Sequence, residues 1–196
     1  MKNRIAATIC ALLAVAAAAS AQESDIAARF SEDIKANAQV TSIECAFTQT
    51  VSMSVLAQDV SKGGHFSFSR PSDIRLDFTD GDYIHMTGDN FEMRSEGHTS
   101  SMKTTSNPML KELRRILSSC MSGDVETIMS GFNATVTETA STYGLTLTPK
   151  DRRSASMMSS MEMQFSKKDM SLDWMKMNQA GGNSTRYTFT DKKIGR

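Results

Sequence analysis

From Ile43 onward the chain alternates. Ile43, Cys45, Phe47, Val51, Met53 and Val55 are apolar, and Glu44, Ala46, Thr48, Thr50, Ser52 and Ser54 sit between them. A period of two marks a strand with one dry face, broken here once, at Gln49. After Gly63-Gly64 come two more alternating runs, Phe66 to Pro71 and Ile74 to Phe78. At ~3.3 Å per residue, Thr41 to Val55 would extend roughly 50 Å. A flat sheet in a small domain does not cover that length. The strand has to coil, and the sheet is expected to be strongly curved, a half-barrel.

The remaining pattern predicts two helices and two groups of strands. Ser24 to Ala38 carries an apolar stripe at Ile26, Phe30, Ile34 and Ala38, with Ser24 as N-cap and Asp25 in the first turn. Short strands are expected at Tyr83–Met86, Phe91–Met93 and His98–Lys103, joined by Gly- and Asp-rich turns. Asn107-Pro108 then opens a helix with an apolar stripe of Met109, Leu110, Leu113, Ile116, Leu117 and Cys120, closed by Gly123. Val125 to Met129 adds a short helical turn. Alternation returns at Phe132–Val136, Tyr143–Pro149, Met161–Phe165, Met170–Trp174 and, after Gly181-Gly182-Asn183, at Tyr187–Phe189. The expected order is helix, four or five strands, helix, four or five strands: an α+β domain with one antiparallel sheet whose dry face meets both helices. Helices that plug the sheet make an ordinary core, and helices that lie over it as a lid leave a pocket. Periodicity is compatible with both.

Residues 1–21 read as an export signal. Lys2 and Arg4 precede an apolar core from Ile5 to Ala18 that is too short to span a bilayer, and Ala19-Ser20-Ala21 fits a small-x-small cleavage site before Gln22. Residues 22–196 are then expected to form a single, monomeric domain in the periplasm. The chain has 22 basic and 22 acidic residues, and removing Lys2 and Arg4 leaves a net charge near −2. With no basic run, nothing points to nucleic acid. The 15 methionines are the compositional anomaly. Met is flexible and polarizable, so the excess fits either ordinary core filling or an apolar cavity that adapts to varied shapes.

Candidate chemistry is sparse. Cys45 on the first strand's dry face and Cys120 on the second helix's stripe point to one interior, as a disulfide or as two buried thiols. His65, His85 and His98 match no compact metal pattern, so no metal and no cofactor is expected. No nucleophile motif, phosphate loop or paired-carboxylate spacing is present, and no enzyme is expected. Arg70 extends from the same strand face as Phe66 and Phe68. A guanidinium at the edge of an apolar interior needs acceptors. The free carbonyls of a helix C-terminus would serve; otherwise Arg70 reaches solvent past Pro71.

Together, Ile43-Glu44-Cys45-Ala46-Phe47-Thr48-Gln49, Gly63-Gly64-His65-Phe66-Ser67-Phe68-Ser69-Arg70-Pro71, Arg75 and Leu145-Thr146-Leu147-Thr148-Pro149-Lys150 resemble the LolA family of periplasmic outer-membrane lipoprotein carriers. The resemblance spans nearly the whole of residues 22–196. It implies an incomplete antiparallel β-barrel with amphipathic helices as a lid over an apolar cavity. It also implies acylated lipoproteins as cargo and an inner-membrane lipoprotein-releasing ABC transporter as donor, with an outer-membrane receptor as an optional further partner. The family's Arg before Pro, matched by Arg70, bonds lid-helix carbonyls and links closing to cargo state. Two departures stand out. Ile74 and Leu76 replace frequent aromatics, and the family usually continues to a further Phe beyond the position of Arg196, so a last strand or tail is expected to be lacking.

The expected acyl-chain lining is Phe47, Phe66, Phe68, Ile74, Leu76, Leu113, Leu117, Met161 and Met163, with Arg70 as the lid latch. The leading expectation is a carrier that shuttles lipoproteins from the inner to the outer membrane. The alternatives are a periplasmic sensor of lipids or mislocalised lipoproteins, and a general phospholipid or glycolipid shuttle.

Overall fold

The computed structural model describes residues 22–55 and 57–196; the expected signal segment, 1–21, lies outside the described residues. Eleven strands form a single antiparallel sheet. They are β1 Ser42–Ser52, β2 Val60–Ser69, β3 Asp73–Phe78, β4 Tyr83–Thr87, β5 Asn90–Ser95, β6 His98–Lys103, β7 Phe132–Glu138, β8 Thr142–Pro149, β9 Met158–Ser166, β10 Leu172–Gln179 and β11 Ser184–Gly195. In space the order is β6-β5-β4-β3-β2-β1-β11-β10-β9-β8-β7, so β6 and β7 are edges and the barrel is incomplete. The first and last of these strands pair at the centre, from Ser42 opposite Gly195 to Ser52 opposite Ser184. Their register slips between Glu44 and Ala46, an irregularity of the kind that bends a strand and increases its twist.

Alternation fixes which face is dry. Phe91, Met86, Ile74, Phe68 and Ile43 pair in one row across β5 to β1. On the other half Leu145, Met163, Met175 and Tyr187 make a matching row across β8, β9, β10 and β11. Helices cover this face. Residues 22–33 form α1, continued by a 3-10 segment, Ile34–Gln39; then come α2 Pro108–Ser122, α3 Val125–Ser130 and α4 Arg152–Met157. Phe30 of α1 lies edge-on to Tyr143 and tilted against Phe165. Asn107 caps α2 as expected, its Oδ1 accepting from the Leu110 N–H at 3.3 Å.

Several expectations need correction. The first helix tightens to three residues per turn after Asp33, so burial falls on Ile34, Asn37 and Val40, and Ala38 is exposed. The first strand ends at Ser52, and Met53 and Val55, expected on the dry face, lie in the hairpin tip, 44% and 86% exposed. Met170 is not a strand residue. It sits in the turn before β10 with φ +57°, its side chain buried. The strand groups number six and five. Helix α4 was not expected from the periodicity, being six residues long; its local signal is Asp151, whose carboxylate accepts from the Ser154 N–H at 2.9 Å.

Gly123 ends α2 with φ +75°, and a Cβ there would run into the Ile34 carbonyl oxygen. The end of α2 and the 3-10 segment therefore meet backbone to backbone. Gly181, at φ +92°, has open space around it. Gly123→Ala is expected to cost about 2 kcal/mol or more from left-handed strain plus collision, and Gly181→Ala only the strain, ~1 kcal/mol. Urea unfolding of the two variants measures the difference; equal losses would remove the close helix contact from the account.

Candidate functional site

The concave face is apolar along its length because alternation sends every second strand residue inward. Phe47, Phe66, Phe68, Ile74 and Leu76 lie there on β1 to β3, and Met161 and Met163 on β9, all buried. From the lid side Leu117 is buried and Leu113 half-buried. These residues join one continuous core and do not surround one empty space. Phe47 packs edge-on to Phe78 at 5.1 Å between centroids and tilted to Tyr187 at 6.0 Å. Phe66 packs edge-on to Phe189 at 5.2 Å. The expected break in the dry face is satisfied: Gln49 Nε2 donates to Tyr187 Oη at 2.6 Å.

Two residual cavities flank α2. Leu113 and Met161 line one of about 20 Å³, together with Ile116, Phe132, Met158 and Met177. Phe66 lines the other, about 10 Å³, with Ile43, Cys45, Met121 and Phe189. A single water needs roughly 10–15 Å³ measured this way. In this structure the side chains of α2 fill the hollow. The methionines Met158, Met161, Met163, Met175 and Met177 lie on β9 and β10, the strands near α2. Unbranched thioether side chains can repack around a different occupant.

Arg70 extends from β2 to the end of the first helical segment. Its Nε donates to the Val40 carbonyl, and Nη2 to the carbonyls of Asn37 at 3.1 Å and Ala38 at 2.7 Å. Asn37 and Ala38 belong to the C-terminal end of the 3-10 segment and Val40 directly follows it, so these acceptors sit at a helix end but not in α2, and the Asn37 carbonyl also accepts from the Val40 N–H at 3.0 Å. Asn37 carries the connection onward. Its Nδ2 donates to the carbonyls of Cys120, in α2, at 3.0 Å and of Met170, before β10, at 2.9 Å. Sequence reasoning missed Asn37. The available signal was a polar residue three positions after Ile34, where a tightened helix puts it on the buried face. Its two donors are satisfied, which removes the cost of burying an amide.

Cys45 and Cys120 are free buried thiols. Cys120 Sγ donates to Met163 Sδ at 3.7 Å. Burial pushes both thiols up to about 12. Burial and the neighbouring Asp33 carboxylate, which accepts from Tyr143 Oη at 2.7 Å, push that phenol to about 12 as well. A raised folded-state value means that the folded chain keeps protons which the unfolded chain loses. The stabilisation is therefore full below the unfolded thiol range near ~8.5 and is lost as pH climbs toward about 12. The expected result is a chain whose unfolding midpoint is level from pH 7 to 8 and falls progressively above ~9. At pH 8 a thiol reagent should leave Cys45 and Cys120 unlabelled until denaturant is added. Rapid labelling of the folded chain would contradict the burial.

The sequence from residue 38 to 195 matches the family model for the outer membrane lipoprotein carrier protein LolA. Among curated proteins no sequence matches. Solved structures are similar to this chain at low identity. An uncharacterized conserved protein from Thermus thermophilus has a TM-score of 0.52 at 7% identity, covering 87% of this chain and 88% of that one. A LolA superfamily protein from Nitrosomonas europaea gives 0.41 at 11%, covering 85% and 94%. The Mycobacterium tuberculosis lipoprotein LppX gives 0.41 at 14%, covering 84% and 94%. With an open antiparallel sheet, helices across its apolar face and a family match over residues 38–195, this chain belongs to the LolA family.

Proposed function

We propose that the chain is a non-catalytic, monomeric periplasmic carrier. In this reading it takes up the acyl chains of lipoproteins from an inner-membrane ABC transporter and delivers them toward the outer membrane. Residues 22–196 are its working domain, and residues 1–21 its export signal. The observation that carries the reading is that the segment seated on the apolar face, α2, belongs to the connection between the two open edges, β6 and β7. A covering segment anchored at the rims is able to leave without unpairing a strand. The cargo surface would be Phe47, Phe66, Phe68, Ile74, Leu76, Met161 and Met163 from the sheet, exposed as Leu113 and Leu117 withdraw. Arg70 would act as the latch that favours the closed, empty form.

Native mass spectrometry of the chain purified from its own periplasm tests the reading. Acylated peptide co-purifying with it supports lipoprotein carriage; free phospholipid instead supports a general lipid shuttle; an invariably empty chain that extracts no lipoprotein from membranes rejects both. For the latch, Arg70→Leu removes charge-assisted bonds worth ~1.5–3 kcal/mol. The closed form should lose roughly ten- to a hundredfold in its balance with the open form. Cargo should then be retained and hand-off slowed, and a variant with full transfer activity would reject the latch role.

A further inference from the structure

The polar flank of α2 bears a second feature, a surface groove of about 300 Å³ on the side away from the apolar cavities. Its walls come from three places. Lys111, Arg114 and Ser118 follow one another at helical spacing on α2; Thr104 belongs to the turn before it; Ser72 lies in the β2–β3 turn, two residues after Arg70. The helix periodicity puts Lys111, Arg114 and Ser118 in one line.

The groove's charges are only partly neutralised from within. Among the described residues Lys111 is exposed and has no ion-pair partner. Arg114 reaches Asp89 Oδ1 at 3.3 Å and Thr104 Oγ1 at 3.5 Å, both at the long end for such contacts. Asp89 is the acidic residue of the lining and the anion's competitor. Arg115 also borders the groove, but its guanidinium is engaged by Glu112 and the Thr127 carbonyl and lies over the Phe132 ring. A separate observation comes from Ser118, whose Oγ is buried with no hydrogen-bond partner among the described residues. An unsatisfied hydroxyl is costly, and a step about χ1 changes its direction at a low barrier. A groove with two available cations, several hydroxyls and an unsatisfied donor fits a compact oxyanion that takes charge-assisted hydrogen bonds.

We propose that this groove binds a phosphate group through Lys111, Arg114 and the Ser118 hydroxyl. The shared chemistry is a tetrahedral phosphate, whether free or as a lipid headgroup. The site stands apart from the carrier reading, since it uses the outer flank of α2 and not its apolar stripe.

The test is a titration of the 15N-labelled chain at pH 7 and low salt. Inorganic phosphate and dihexanoylphosphatidate are added separately, and sodium chloride at matched ionic strength is the reference. Saturable shifts confined to the amides around Thr104, Lys111, Arg114 and Ser118 are expected with both probes. Arg114→Ala should weaken binding about tenfold, and Ser118→Ala, which leaves the charge unchanged, about threefold. Asp89→Asn should tighten binding about threefold, because it removes the competitor. All three are surface or small substitutions, and the unperturbed remainder of each spectrum reports that the variant is folded. Similar affinities for the two probes identify free phosphate as sufficient. At least tenfold tighter binding of the phosphatidate identifies a headgroup site, and either result supports the assignment. Shifts that sodium chloride reproduces, or binding that Ser118→Ala leaves unchanged, mean diffuse surface charge and overturn it.

Discussion

A curved sheet with one apolar face and two unpaired edges has to be covered, and everything else in this chain follows from how that is done. The inward rows run from Phe91 to Tyr187 without a polar interruption other than Gln49, which finds its partner in Tyr187. Leaving such a face in water would forfeit ~25 cal/mol for every square ångström of apolar surface. The chain closes it by spatial order. Because β1 and β11 pair in the centre, the two edges are β6 and β7, consecutive in sequence, and their connection carries α2 and α3. A barrel closed by β6–β7 pairing would have no need of a lid. The missing pairing and the covering helix are one feature seen from two sides.

The lid is held unevenly. At its C-terminal end, Gly123 lies against the Ile34 carbonyl, and the Cys120 carbonyl receives Asn37. Both contacts are backbone to backbone or to a buried amide, and Arg70 steadies the same 3-10 segment from β2. Toward its other end the helix borders the Met-lined cavity through Leu113 and Ile116. The bonds to the 3-10 segment therefore sit at one end of α2 and the apolar contact with the methionines toward the other. Hydrogen bonds specify a geometry, whereas apolar contact tolerates exchange of one greasy partner for another.

What was legible in the sequence was what periodicity encodes. Alternation located the core of β1, β2 and β3, and the Asn107-Pro108 start with its i, i+3, i+4 stripe located α2, because these signals are local and repeated. What was not legible depends on partners far away in the chain. Asn37 reads as an ordinary polar turn residue until Cys120 and Met170 supply their carbonyls from 83 and 133 residues away. Met53 and Val55 keep the alternation beyond the sheet's covered part, so the pattern outruns the environment that gives it meaning. The seven expected lining residues on the strands share the inward face and Leu113 and Leu117 lie on the covering helix, because face is a local property. Which of them border free volume depends on where α2 sits, and no local pattern contains that.

A filled hollow argues, at first sight, against any cargo, and magnitudes decide the matter. Among the described residues Leu110, Ile116, Leu117 and Met121 are the large buried apolar side chains of α2, and at ~1.5–3 kcal/mol each their burial is worth roughly 6–12 kcal/mol. In the proposed carrier, an acyl chain of about sixteen carbons, at ~0.8 kcal/mol per methylene, would gain roughly 13 kcal/mol from the same face. The two occupants are therefore of similar strength. A lid much weaker than this would leave the face open to aggregation, and one much stronger would never yield. With the apolar terms so nearly balanced, a few directional bonds of ~1–3 kcal/mol, such as those of Arg70 and Asn37, would suffice in the proposed carrier to set which occupant is present.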